Sequence, residues 1–237
     1  MSELLEKIRS RGYRRVVIRP GNFVETRVSN IYALYPLLEK ISVQLFGWDF
    51  PHLDPPDQLH TDSDWIGQEV ERLYHIELWR FYQTGQFVQM SALAEDWIDE
   101  SSDFAKEKIW KPGHLLSVER TVFRFTEIFE LASRLALTEA GDELIHIEIS
   151  VNGLSGRALR VNPETRMPFP TSMKASIKEL PYKVDLSRTQ LITESRDLAL
   201  KPALELFRHF GWDPGLEILR DIQGELFHRG SQVAKRV

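Results

Sequence analysis

Residues 75–93 read HIELWRFYQTGQFVQMSAL. Two runs rich in aromatic and aliphatic residues flank Thr84-Gly85, and glycine tolerates the positive φ that a tight hairpin turn requires. Strand alternation sends Trp79 and Phe81, with His75 and Glu77, to one face, and Ile76, Leu78 and Tyr82 to the other. Bulky apolar groups on both faces imply a sheet covered on two sides, so this hairpin belongs at the centre of the fold.

Working outward toward the N-terminus, Leu4, Leu5 and Ile8 have helical spacing, and Gly12 is expected to stop that helix. The next stretch, YRRVVIRP, is β-branched and reads as a strand. A short helix is expected over 33–40 with Pro36 in its first turn, followed by a strand over 41–46. Toward the C-terminus, SVERTVFRFTEIFELASRLAL gives the strongest helix, over 117–138. Ser117 suits its N-cap; Val118, Val122, Phe125, Phe129, Ala132 and Ala136 trace one apolar stripe, and Glu130 and Arg134 sit at i,i+4 spacing. In ELIHIEISV the isoleucines alternate with His146 and Glu148, and NGLSG is expected to turn this strand back into RALRV as a second hairpin. A proline-rich loop over 163–181, a strand near 182–186 and two helices over roughly 197–210 and 214–228 complete the chain. Pro202 must kink or start the first of these two helices, and Gly211, Asp213 and Pro214 suit the corner between them.

The fold class expected is therefore α+β: a central, largely antiparallel sheet with two hairpins, flanked by helices and closed by a C-terminal helix pair. One domain over 1–237 is the reading, with possible lobes 1–112 and 113–237, a charged surface excursion over 95–113 and a loose tail at 229–237.

Composition narrows the function. The chain has 237 residues, 42% hydrophobic, with no cysteine, which removes disulfides, thiol nucleophiles and thiolate metal sites together. No apolar run approaches a bilayer span and the N-terminus does not read as a signal peptide, so a cytoplasmic protein without a membrane partner is expected. The net charge of −5 is uneven: residues 1–30 carry seven basic and three acidic side chains, and residues 31–110 carry five and fifteen. Overall acidity argues against a dedicated nucleic-acid binder.

Three groups of side chains are candidates for chemistry. The first is the run from 48 to 77, where His52, Asp54, His60, Asp62 and Asp64 are residue types that hold divalent ions and activate water. Their spacing fits no metal motif, so a solvated loop held to the core by Trp48 and Phe50, with Asp54 and Asp57 also in water, is the reading preferred. The second is His75 with Glu77, a pair able to share a proton. The third is the basic segment with Arg11, Arg14, Arg15 and Arg19, which can contact phosphates or line a charged strand edge. No nucleophile or phosphate-loop motif is present.

The stretches RGYRRVVIRPGNF, FGWDFPH, WRFYQTGQF and FRFTEIFELASRLA resemble a family of bacterial proteins of similar length with no assigned activity. That resemblance implies one unit over most of the chain and carries no functional residue. The function expected is a non-enzymatic binding or accessory protein acting through a protein partner or a second copy of itself, with no cofactor. Alternatives are a metal-assisted hydrolase using residues 48–77, and a nucleic-acid contact through the basic segment.

Overall fold

A seven-stranded sheet in which every neighbouring pair is antiparallel organises the molecule, in the spatial order 179–187, 144–152, 13–20, 87–92, 75–82, 65–72, 60–61. The computed structural model describes residues 2–98 and 111–233, with side chains to 227. In chain order, helix α1 (Glu3–Arg9) leads to β1 (Tyr13–Pro20), helix α2 (Leu34–Ile41), and the short strands β2 (Val43–Phe46) and β3 (Trp48–Phe50). The meander β4 (His60–Thr61), β5 (Trp65–Arg72), β6 (His75–Tyr82) and β7 (Phe87–Ala92) follows. After β8 (Leu115–Ser117) come helix α3 (Val118–Ala136), β9 (Leu144–Asn152), β10 (Ala158–Arg160) and β11 (Glu179–Ser187). Helices α4 (Arg188–Arg208) and α5 (Leu216–Val233) close the chain.

The β6–β7 hairpin forms as its sequence requires. Gly85 turns it at φ +83°, and a side chain there would also strike the Ala140 carbonyl, 2.0 Å from the position of a Cβ. The sheet's other hairpins are β5–β6 and the short β4–β5, not 143–161. Strand β9 is flanked by β1 and by β11, whose nine residues pair along its whole length, whereas 158–160 offers three pairs and lies parallel to β8 instead. The longer ladder satisfies more backbone groups, and NGLSG leads the chain off the sheet.

Helix α3 begins at Ser117, whose side chain accepts from the Arg120 amide. Its apolar stripe meets the sheet and α4, and the core built there runs from Val16 to Leu226, with residues from both sides of position 112. A smaller cluster on the opposite face of the sheet joins Leu4 and Ile8 of α1 to Ile76, Met90 and Trp97. Both faces of the central hairpin are thus apolar, although Arg80 remains exposed beyond the reach of α1.

Several local expectations are corrected. Helix α1 ends at Ser10 with ordinary helical angles; Gly12 is required by close packing, because a Cβ there would lie 2.2 Å from Arg157 Nη2 and 2.9 Å from Asp96 Oδ2. Glu130 does not pair with Arg134: Glu130 accepts from Ser195 Oγ at 3.1 Å, and Arg134 donates to the Ser42 carbonyl. Helix α4 starts at Arg188 rather than near 197, set by a capping box between Ser187 and Gln190, so Pro202 lies in its interior. Asp213 pairs with Arg208 at 2.9 Å instead of capping α5. Of the expected excursion over 95–113, residues 99–110 lie outside the described residues; Glu95, Asp96 and Trp97 are buried. The expected loose tail is helical to Val233, and 234–237 lie outside the described residues.

Candidate functional site

The core face of the sheet grades from apolar to charged along the strands. One row across β1, β7 and β6 is Ile18–Phe87–Phe81, the next is Val16–Gln89–Trp79, and the third is Arg14–Ser91–Glu77. Helix α3 lays Arg120, Arg124 and Glu127, spaced i, i+4 and i+7, beside this charged end. The β2–β3 turn adds Phe46 and Trp48, and the β5–β6 turn adds Tyr74 and His75. Between them is a cleft of about 240 Å³, into which Arg14, Arg120, Arg124, His75 and Ser91 converge; Glu95, which accepts from the Ser117 amide, also lines it.

Two donors of this cleft, on Arg14 and Ser91, are not spent on protein acceptors. Arg14 is 7% exposed, its Nε has no hydrogen-bond partner, and the same is true of Ser91 Oγ. Arg124 lies 3.1 Å from Glu127 Oε2 without well-formed hydrogen-bond geometry. Arg120 sits over the Phe46 and Tyr74 rings, 5.9 and 5.3 Å from their centroids. Burial, then the neighbouring Arg124 charge, brings Arg14 down to about 10 against the pull of Glu95, Glu127 and Glu77, so it stays protonated at neutral pH.

The carboxylates behind the cleft are in opposite states. Glu77, fully buried, accepts from the His52 amide at 2.8 Å and from Gln89 Nε2 at 2.7 Å, and His75 Nε2 is 3.3 Å from its Oε2. Burial alone would raise its carboxyl, but His75, Arg124 and the His52 amide outweigh burial and hold it below the ordinary carboxylate range. Burial pushes Glu127 up to about 7; Arg124 opposes this and Glu77 adds to it. Because native Glu127 keeps a proton that the unfolded chain releases near pH 4.5, stability falls as pH rises from about 4.5 to about 7. Glu127→Gln should therefore stabilise above pH 7, by about 1–2 kcal/mol after the loss of Arg124's partner, and leave stability near pH 4 unchanged. Urea midpoints of both proteins across pH 4–8 check this; an equal shift at every pH would refute the linkage.

The remaining sequence candidates are scattered. His52 and His75 join Trp48 in an aromatic cluster, with Trp48 stacked on His75 at 5.4 Å, so half-buried Trp48 is a cleft wall rather than a core anchor. Asp54, expected in water, is 5% exposed: Arg72 pairs with its carboxylate and Gln68 bonds its backbone, which satisfies a buried charge. His52 Nε2 lies 3.7 Å from Asp54, while His60, Asp62 and Asp64 are exposed at the edge formed by β4 and β5. Among the described residues no three His, Cys, Asp or Glu side chains are placed to hold a metal ion.

The basic segment divides. Strand alternation buries Arg14 and sends Arg15 and Arg19 to the opposite face, where Arg15 pairs with Glu148 at 2.9 Å. Arg11 donates to the Asp96 carbonyl and lies 3.9 Å from the Trp97 ring centroid. Strand β1 is interior to the sheet, between β9 and β7, so it is not a charged edge.

Sequence reasoning placed His75 and Glu77 on the right face and missed Ser91, Arg120, Arg124 and Glu127. The available signal was the 120/124/127 charge stripe on a helix otherwise rich in phenylalanine. No helix among the described residues is long and apolar enough to cross a membrane. No protein-family model, curated protein or solved structure matches the chain.

Proposed function

We propose that this is a non-enzymatic, cytoplasmic binding protein whose centre is the Arg14 cleft, and that the cleft takes a small ligand bearing an oxyanion. The observation that carries this reading is the buried Arg14 guanidinium with an unpartnered Nε facing a cavity shared with Arg120, Arg124 and Ser91. Leaving a buried donor unmade costs about 1–3 kcal/mol, more for a charged group, and a bound oxyanion recovers it. The binding role expected from sequence is kept, but it moves from a protein surface to an internal cleft. The separation of Arg14 from Arg15 and Arg19 weakens the nucleic-acid alternative, and the dispersal of His60, Asp62 and Asp64 weakens the metal-assisted one.

Inorganic phosphate at ten times its Kd should stabilise the protein by about 1.4 kcal/mol, a rise of about 3–5 °C in melting temperature. Arg14→Met should abolish that rise and leave the ligand-free protein about as stable as wild type, because it removes a buried guanidinium that makes no hydrogen bond to the protein through Nε, at the cost of its attraction to Glu95, Glu127 and Glu77. A purely structural Arg14 would give the reverse, with a large loss of stability. Differential scanning calorimetry with and without phosphate separates the two, and a phosphate response retained by Arg14→Met would sink the proposal.

A further inference from the structure

A second cavity, of about 280 Å³, adjoins the Arg14 cleft and shares Phe46 and Arg120 with it as a common wall. Its other lining residues are Ser117, Glu119, Phe123, Arg160, Val161, Asn162 and Pro163. Each cavity alone is smaller than the roughly 300–1,000 Å³ usual for ligand sites, whereas the pair falls within that range. The partition between them is soft: Arg120 makes no ion pair or hydrogen bond through its guanidinium among the described residues, and only ring faces hold it. Rotation about its side-chain bonds would join the two spaces at little cost in lost contacts.

The chemistry of the joined space is graded. At one end are cationic and hydroxyl donors from three separate strands and one helix: Arg14, Ser91 and His75 from the sheet, Arg120 and Arg124 from α3. Donors arriving from several directions suit a tetrahedral oxyanion, since one bidentate arginine would suffice for a planar carboxylate. Toward the other end Phe46, Phe123, Val161 and Pro163 give an apolar path between polar walls of Ser117, Arg160, Asn162 and Glu119, whose carboxylate is held by the Asn162 amide and Arg166.

We infer that the two cavities are one site, partitioned by Arg120, and that its ligand is a phosphate monoester of a planar, ring-bearing alcohol. The phosphoryl group lies among Arg14, Arg124 and Ser91, Arg120 swings to pair with it, and the organic body lies along Phe46 toward Phe123 and Val161. This inference rests on the anion-binding reading above.

Isothermal titration with inorganic phosphate, phenyl phosphate and phenol tests it. Phenyl phosphate should bind at least tenfold more tightly than inorganic phosphate, and phenol should not bind. Val161→Phe, which fills the second cavity, should reduce phenyl phosphate to the affinity of inorganic phosphate and leave the latter unchanged. Should that variant fail to fold, ring-proton NOEs from phenyl phosphate to Phe46 and Phe123 in the wild-type protein serve instead, and they are expected. Equal affinities for the two phosphates, or NOEs to neither phenylalanine, would overturn the inference while leaving the anion site standing; no binding of either phosphate would overturn both.

Discussion

Asp96→Ala should destabilise the protein by about 3–5 kcal/mol, measured from urea unfolding at constant slope. The Asp96 side chain is fully buried, and each of its oxygens accepts twice: Oδ1 from the Gly113 amide and Arg157 Nη1, both at 2.8 Å, and Oδ2 from the Gly12 amide at 2.8 Å and Arg157 Nη2 at 2.5 Å. Arg157, itself 1% exposed, also donates to the Gly153 and Leu115 carbonyls. One carboxylate thus ties the entry to β1, the residues before β8 and the turn after β9. Its removal strands a guanidinium in the interior together with two amides, and a buried charge without its partner is what makes such losses large. Arg157→Ala should cost a similar amount, and the double variant should cost much less than the sum, since neither charge is then left alone. Additive losses would show that the two side chains stabilise the fold separately and that the clip does not act as a unit.

Phe50→Ala should cost about 3–5 kcal/mol, whereas Asp57→Asn combined with Asp62→Asn should change stability by less than about 0.5 kcal/mol each. Phe50 is wholly buried against Phe87, their centroids 6.4 Å apart, so truncation leaves a cavity in close-packed surroundings. Asp57 and Asp62 are exposed on the same segment of chain. Trp48→Ala is expected to fall between these limits, because Trp48 packs on two histidines at the rim of a cleft and not in the core. Thermal and urea unfolding of the three variants establishes the order, and a Trp48 loss equal to that of Phe50 would return Trp48 to the role of an anchor.

Much of the fold was legible because it depends on local periodicity. The period of two in HIELWRFYQTGQFVQMSAL and ELIHIEISV, and the four-and-three spacing of the 117–138 helix, each bury a definite face regardless of what lies against it. Turn chemistry was equally local at Thr84-Gly85. The failures came where two local solutions competed. RALRV could have paired with β9, but β11 formed the longer ladder, and that comparison needs residues about thirty positions away. Pro202, expected to kink or start its helix, drew the start toward 197, whereas Ser187 and Gln190 fix it at Arg188.

The candidate site shows the same division more sharply. The sequence placed His75 and Glu77 on the Trp79 face; strand alternation also separates Arg14 from Arg15, and helical spacing aligns Arg120, Arg124 and Glu127, though the sequence reading grouped the two arginines and passed over the stripe. It could not determine that these three sets meet. That depended on β1 pairing with β7 in a register that sets Arg14 opposite Ser91, on β7 setting Ser91 opposite Glu77, and on α3 packing with its charged stripe over that row. Burial gave those charges their character: a carboxylate lowered at Glu77, a carboxyl raised to about 7 at Glu127, and an arginine brought down to about 10 at Arg14. Desolvation and charge proximity act through space, between residues up to 113 positions apart in the chain from Arg14 to Glu127, so only the tertiary structure decides them.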